Sequence, residues 1–172
     1  LELDHSGRDE VYSTLKQLPF IDQSSIKEAD GYEYFGDTNA LMIYWGCSHP
    51  LEKSCGDARL AHGKLILIWH SIGYDLSFKT VVDLLGPPAY IDYHPYHPDV
   101  GGCQIVLNWP DQSISVDYLD TRHEKLCLAI KQGDGIPPNT PVRTVSYMVK
   151  ELFSSEPGEY GIHQPWPGFS EP

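Results

Sequence analysis

The chain has 172 residues, 41% hydrophobic and 12% aromatic, with 24 acidic against 12 basic side chains and a formal net charge of −12. That apolar content supports a core and excludes wholesale disorder, while the acidic excess and the scatter of basic residues exclude a nucleic-acid partner gripped through its phosphates. No apolar run approaches the ~20 residues that cross a bilayer, and the length suits one domain or two small units.

In chain order, Ser6 is placed to cap a helix whose first turn holds Asp9 and Glu10. Val11, Leu15 and Leu18 recur at helical spacing, which predicts a helix over Arg8–Gln17 that stops before Pro19. Gln23–Glu28 reads as a turn or loop. Tyr32–Phe35 and Ala40–Trp45 read as strands joined by the polar turn Gly36–Asn39. After the polar connection His49–Asp57, alternation runs from Arg59 through Lys64–His70. There Leu65, Leu67 and Trp69 are expected on one face and Ile66, Ile68 and His70 on the other, as in a central strand covered on both sides.

Ser77 is the next cap, with Phe78, Val81, Val82 and Leu85 along one side of a helix that Gly86 and Pro87-Pro88 terminate. Ala89–Asp92 starts an extended segment, and Tyr93–Val100, with two prolines and two histidines, reads as a loop. Gln104–Trp109 and Ser113–Tyr118 form a hairpin around Pro110–Gln112, and Glu124–Ile130 is a further strand. Val145, Met148, Val149 and Leu152 predict a second-half helix over Val142–Phe153. The Gly-, Pro- and aromatic-rich Ser154–Pro172 is expected to wrap the surface or fray.

These elements predict an α+β fold, with short helices packed on one face of an antiparallel sheet. The order suggests two helix-then-sheet repeats: a first unit over 1–75, a second over 76–153 with an additional helix, and a tail over 154–172.

Four cysteines, Cys47, Cys55, Cys103 and Cys127, allow three pairings or four buried reduced thiols. The nearest-neighbour pairings, Cys47–Cys55 and Cys103–Cys127, each fall within one half, and at least one disulfide is expected. The chain opens Leu1-Glu2-Leu3-Asp4, without Met or a signal-like segment. We therefore expect that the true N-terminus has been removed, by processing or by the design of the expressed chain, with room for a lipid anchor in the missing segment, and a secreted, periplasmic or envelope-associated location.

The segment Ser77-Phe78-Lys79-Thr80-Val81-Val82-Asp83-Leu84-Leu85-Gly86-Pro87-Pro88 resembles the "helix, Leu-Gly-x-Pro, strand" signature of the SmpA/OmlA outer-membrane lipoprotein domain. The same architecture occurs in tandem in the β-lactamase inhibitor protein family. The resemblance implies a helical pair before each antiparallel sheet and disulfides inside the repeats, where Cys47–Cys55 and Cys103–Cys127 would fall. It also implies a protein partner, either membrane-assembly machinery or an enzyme bound over the concave sheet. The first half departs from the pattern: its nearest equivalent is Leu15-Lys16-Gln17-Leu18-Pro19, without the Gly-x-Pro.

His94 and His97, flanked by Asp92, Tyr93, Tyr96 and Asp99, have the side-chain chemistry of a transition-metal site. Pro95 and Pro98 prevent helical presentation, and a strand would put 94 and 97 on opposite faces. A surface loop is the simpler reading. No G-x-S-x-G elbow is present, and neither Gly101-Gly102 nor Gly133-Asp134-Gly135 forms a phosphate-binding loop. No catalytic, cofactor-binding or metal residue is assigned, and no cofactor is expected.

The function expected is a non-enzymatic extracytoplasmic protein-binding or envelope-assembly module. Tyr44, Tyr93, Tyr96 and Trp109 are its candidate contact residues. The competing readings are a hydrolase or metal-dependent enzyme using the His/Asp loop, a carbohydrate-binding domain, and a purely structural lipoprotein domain.

Overall fold

The computed structural model describes residues 1–47, 55–72, 75–95, 102–120, 127, 132, 134–153 and 162–170. The chain divides into two units, one made of Leu1–Gly73 with Ser146–Val149 and the other of Tyr74–Val145 with Lys150–Pro172.

In the first unit, helix α1 spans Arg8–Gln17 and buries Val11 and Leu15. Gly7, not Ser6, occupies the cap position, and its N–H donates to Glu10 Oε2 at 3.1 Å. Ser6 is buried instead, its Oγ accepting from the Glu2 N–H at 2.9 Å. Strands β1 (Ile21–Asp30), β2 (Leu41–Cys47), β3 (Gly56–Ala61) and β4 (Lys64–Ser71) follow as an antiparallel meander. The register places Leu41, Leu60 and Leu65 in one rung, Ile43, Ala58 and Ile68 in the next, and Trp45, Gly56 and His70 in a third. Val11 and Leu15 of α1 pack on this face, forming one core with Ile43, Trp45 and Leu60.

Gly56 is the position the meander constrains most. A Cβ there would lie 2.5 Å from the Trp69 carbonyl oxygen and 2.7 Å from Trp45 Cζ2, so the close approach admits only glycine.

Strand β1 occupies the stretch expected to be a loop. Its polar run hides it, because side chains replace part of the ladder between Asp22 and Lys27. Ser24 donates from N and Oγ to Asp22 Oδ1 at 3.0 and 2.7 Å, and Gly46 N–H donates to Ser25 Oγ at 2.7 Å. The strand expected at Tyr32–Phe35 is reduced to an isolated bridge between Tyr34 and Asp37, with Phe35 at φ 52°.

In the second unit, helix α2 spans Phe78–Leu85. Ser77 caps it, Oγ accepting from Thr80 N–H at 3.2 Å, and Gly86 ends it at φ 83°. Strands β5 (Tyr90–Pro95), β6 (Cys103–Trp109) and β7 (Ile114–Asp120) pair antiparallel. Ile91, Tyr93, Ile105, Leu107, Trp109 and Val116 are buried along with Phe78 and Val81 of α2. Trp109 Nε1–H donates to the Gly86 carbonyl at 2.9 Å, which ties the helix stop to β6.

Two further strands were not expected. Residues Thr144–Met148 form β8, followed by a short 3-10 turn at Lys150–Leu152, where a helix over Val142–Phe153 was predicted. Apolar residues at 145 and 149 suit either period, but the stretch Val142–Tyr147 is dominated by β-branched, aromatic and small polar residues that a helix disfavours. Ile162–Pro165 form β9, which pairs antiparallel with β5, so this part of the expected tail belongs to a sheet. Of the strand expected at Glu124–Ile130, only Cys127 is among the described residues.

The predicted layering of short helices over one sheet face is therefore overturned. Among the described residues nine strands, mostly in antiparallel sheet, stand against two α-helices of ten and eight residues. The fold is dominated by sheet.

Both nearest-neighbour cysteine pairs are disulfides, Cys47–Cys55 and Cys103–Cys127. Their sequence separations are 8 and 24 residues, so chain entropy makes the longer closure the stronger staple. Replacing Cys103 and Cys127 together by Ala is expected to cost about 3.5 kcal/mol, against about 2.5 kcal/mol for the Cys47 and Cys55 pair. Urea unfolding of the two variants measures the difference; a larger loss from the short loop would contradict this ranking.

Candidate functional site

Among the described residues, two sheet faces and a cavity bring together side chains with chemical or recognition capacity. The first surface follows from the meander of the first unit. Because pleating alternates side chains, the residues between the core rungs share the face away from α1. Tyr44, Asp57 and Trp69 form one rung there, and Met42, Arg59 and Leu67 form the next. All six are half-buried. Arg59 Nε donates to Asp57 Oδ1 at 2.7 Å, its Nη1 donates to the Tyr34 hydroxyl, and its guanidinium lies 6.0 Å from the Tyr34 ring centre. Burial works against the Arg59 charge, but the hydrogen bonds with Asp57 and Tyr34 outweigh it and hold the guanidinium pKa above its ordinary value.

Register corrects one expectation here. A bulge between Arg59 and Leu60 places Leu65 on the core face, while Leu67 and Trp69 point to the opposite side. Simple alternation had placed the three together.

The second surface lies on the sheet of the second unit, on the face opposite Ile91, Ile105 and Leu107. Its rungs bring together His163, Asp92, Val106 and Asp117, and beside them Tyr90, Asn108 and Ser115. Asp92 is buried; Asn108 Nδ2 donates to its Oδ2 at 2.8 Å, and His163 Nδ1 lies 2.8 Å from its Oδ1. The Tyr90 ring is tilted over His163 at 4.2 Å between centres. Burial, reinforced by the Asp92 charge, pushes the Tyr90 phenol up to about 12. A carboxylate that holds one imidazole nitrogen orients the ring, as happens beside metals and general bases. Among the described residues, no group of three or more His, Cys, Asp or Glu is placed to hold a metal.

The expected site residues separate on this framework. Tyr44 lies on the face of the first unit's sheet turned away from α1. Tyr93 and Trp109 are 7% and 3% exposed and belong to the core of the second unit, so neither offers contact area. Tyr96, His97 and Asp99 lie outside the described residues. His94 is on β5 opposite Gln104, and Asp92 is drawn into the His163 pair. Sequence reasoning missed Arg59, Asn108, Asp117 and His163. Asn108 and Asp117 stood out only as polar residues within largely apolar runs, Arg59 and His163 lie in short mixed strands, and the rungs they share depend on register.

A cavity of about 200 Å³ opens on the α1 side of the first unit, lined by Leu15, Ile21, Trp45, Ala58, Ile68 and His70 among others. Phe20, at its edge, meets the His70 ring edge-on at 6.0 Å, and His70 Nδ1 is 3.8 Å from Cys55 Sγ.

Asp117 carries a pH consequence. Burial raises its carboxyl pKa above the ordinary 3.8. The nearby Thr144 hydroxyl opposes that shift without reaching hydrogen-bond geometry, and so does Gln104 Nε2, which donates at 3.0 Å. The folded state thus holds this proton more tightly than the unfolded chain. The stability it contributes is fully present below 3.8 and is lost as pH rises through the raised folded value. Asp117→Asn is expected to gain stability relative to wild type across that interval. Paired urea midpoints from about pH 3 to 7 test it; a constant difference between the two proteins would contradict the assignment.

No protein-family model matches the chain, and no curated protein or solved structure matches it.

Proposed function

We propose that the chain is a non-enzymatic, extracytoplasmic protein-binding or envelope-assembly module that meets its partner with the face of the first unit's sheet turned away from α1. The observation that carries this reading is the pair of rungs Tyr44–Asp57–Trp69 and Met42–Arg59–Leu67. Tyr, Trp, Met and Arg are the side chains enriched at protein interfaces, because they combine large rigid or adaptable contact area with directional polar groups. Here Asp57 and Tyr34 hold the Arg59 guanidinium in place before any partner arrives, which lowers the ordering cost of binding.

The Tyr34 contact also brings the 31–40 turn to this face, and Tyr32 and Phe35 in that turn are 75% and 49% exposed. Large exposed aromatics beside a half-buried platform suit the rim of a recognition surface. The net charge of −12 favours a partner with a positive rim. Two disulfides support an oxidising compartment. Among the described residues no helix is long and apolar enough to cross a membrane. The resemblance of Ser77–Pro88 to the SmpA/OmlA and inhibitor families points to the same class of function.

Tyr44→Ala combined with Trp69→Ala tests the face. Both side chains are half-buried, so the variant is expected to keep its disulfides and cooperative unfolding. Immobilised wild type should recover a partner selectively from secreted and envelope proteins of its source, with about tenfold or greater loss of affinity in the variant. Equal affinity of that partner for both proteins would remove the face from consideration, and no selective partner at all would remove protein binding.

A further inference from the structure

We propose that Cys47–Cys55 is a thiol–disulfide exchange site, opened by a small thiol that attacks Cys47 Sγ while His70 receives the departing Cys55 sulfur. Its opening releases the end of the meander where β2, β3 and β4 meet. The inference concerns this bond alone and stands whether or not the face carrying Tyr44 and Trp69 meets a protein.

Exchange needs the attacking, attacked and leaving sulfurs nearly in line, so access to one end of the bond decides which sulfur leaves. Cys47 is half-buried at the last position of β2, whereas Cys55 is 1% exposed. A thiol in solution therefore reaches the bond from the Cys47 side, and Cys55 is the leaving group. The other disulfide offers no such end, since Cys103 and Cys127 are 0% and 4% exposed.

The leaving sulfur has a partner. His70 Nδ1 lies 3.8 Å from Cys55 Sγ, and the Phe20 ring meets the imidazole edge-on at 6.0 Å. Register brings the imidazole there, because His70 pairs with Gly56, the residue after Cys55. A thiolate released among apolar side chains is costly, and an imidazole N–H beside it offsets that cost by donating a hydrogen bond or giving up its proton.

The step balances with a low-molecular-weight thiol as reductant. Its thiolate forms a new S–S bond to Cys47 Sγ, the Cys47–Cys55 bond breaks, and the electron pair departs on Cys55 Sγ. A second thiolate then attacks the sulfur of the bound thiol, which frees Cys47 and leaves the small molecule as its own disulfide. The protein gains two electrons and two protons.

Opening also acts on the backbone. The β2–β3 ladder ends at the pair Trp45 and Gly56, and the disulfide closes the strands just beyond it. Cys55 N–H donates to the Trp45 carbonyl at 3.0 Å, and its own carbonyl accepts from Ser71 N–H at 2.8 Å. Cys55 thus joins β2 to β4 directly before β3 begins, and reduction removes the covalent tie behind those two hydrogen bonds.

Glutathione provides the test, applied to the full-length, disulfide-intact chain under native conditions, with iodoacetamide quenching and peptide mass spectrometry. The glutathione adduct is expected on Cys47 and the alkylated thiol at Cys55. Cys47–Cys55 should open about tenfold or more faster than Cys103–Cys127. His70→Phe keeps a ring beside Phe20 and removes the nitrogen, and should slow opening about threefold or more. A variant that merely loosened the fold would open faster, so the sign of the change separates the two roles. After opening, amide hydrogen exchange should quicken at Cys55 and Ser71 and stay unchanged at Ile105 and Leu107 in the second unit. An adduct on Cys55, equal rates for the two disulfides, unchanged or faster opening in His70→Phe, or unaltered exchange at Cys55 and Ser71 would each overturn the proposal. The adduct position and the rate ratio are read on wild type, so they decide even where the variant does not fold.

Discussion

The contact of Gly56 with two tryptophans governs the first unit. Its backbone lies between the Trp45 ring and the Trp69 carbonyl, with no space for a side chain. Cys55, immediately before it, is buried, bonded to Cys47, and bound through its backbone to Trp45 O at 3.0 Å and Ser71 N at 2.8 Å. With that point fixed, the register of β2, β3 and β4 has no freedom. A slip of one residue would exchange the two faces along a whole strand, setting Asp57 and Arg59 against α1. The division between an apolar face that packs against α1 and a mixed aromatic and charged face turned away from it therefore rests on this crossing.

The second unit handles polarity differently. One face of its sheet is an ordinary apolar core, with Ile91, Ile105 and Leu107 fully buried. The other face carries Asp92, Asn108 and Ser115, which are also buried. Buried polar groups persist only where hydrogen bonds replace lost water, and Asp92 satisfies that by accepting from Asn108 while facing His163. Asp117 is less completely compensated, and its raised carboxyl pKa is the electrostatic trace of that deficit. The same pairing joins β9 to β5, so a residue far along the chain secures an otherwise open strand edge. The face proposed for recognition and the buried polar network thus lie in different units, each with its own hydrogen bonds.

Much of the local structure was legible because its causes are local. The helix at Phe78–Leu85 could be read from the Ser77 cap, the apolar spacing and the Gly86-Pro87-Pro88 stop, all within one dozen residues. Strands β6 and β7 could be read for a similar reason, since Pro110–Gln112 punctuates two alternating runs. The candidate site was legible only in part. Tyr44 could be chosen for its type, but Tyr93 and Trp109 were equally suitable until burial removed them. Aromatic residues serve cores and interfaces alike, and strand alternation leaves open which face a partner element will cover.

By itself the sequence determined two helices, the principal hairpin, the acidic surface and a cysteine set compatible with pairing inside each half. Those properties depend on composition, on periodicity and on caps a few residues away. Only the tertiary structure decided that β1, β8 and β9 are strands, that sheet outweighs helix, and that Trp69 faces away from Leu65. Strand identity at such places is conferred by the neighbour that completes the hydrogen-bond ladder, and face by a bulge or a register set elsewhere in the chain. The cavity lined in part by Trp45 belongs to the same category: it exists only once helix, strand and Gly56 have been brought together.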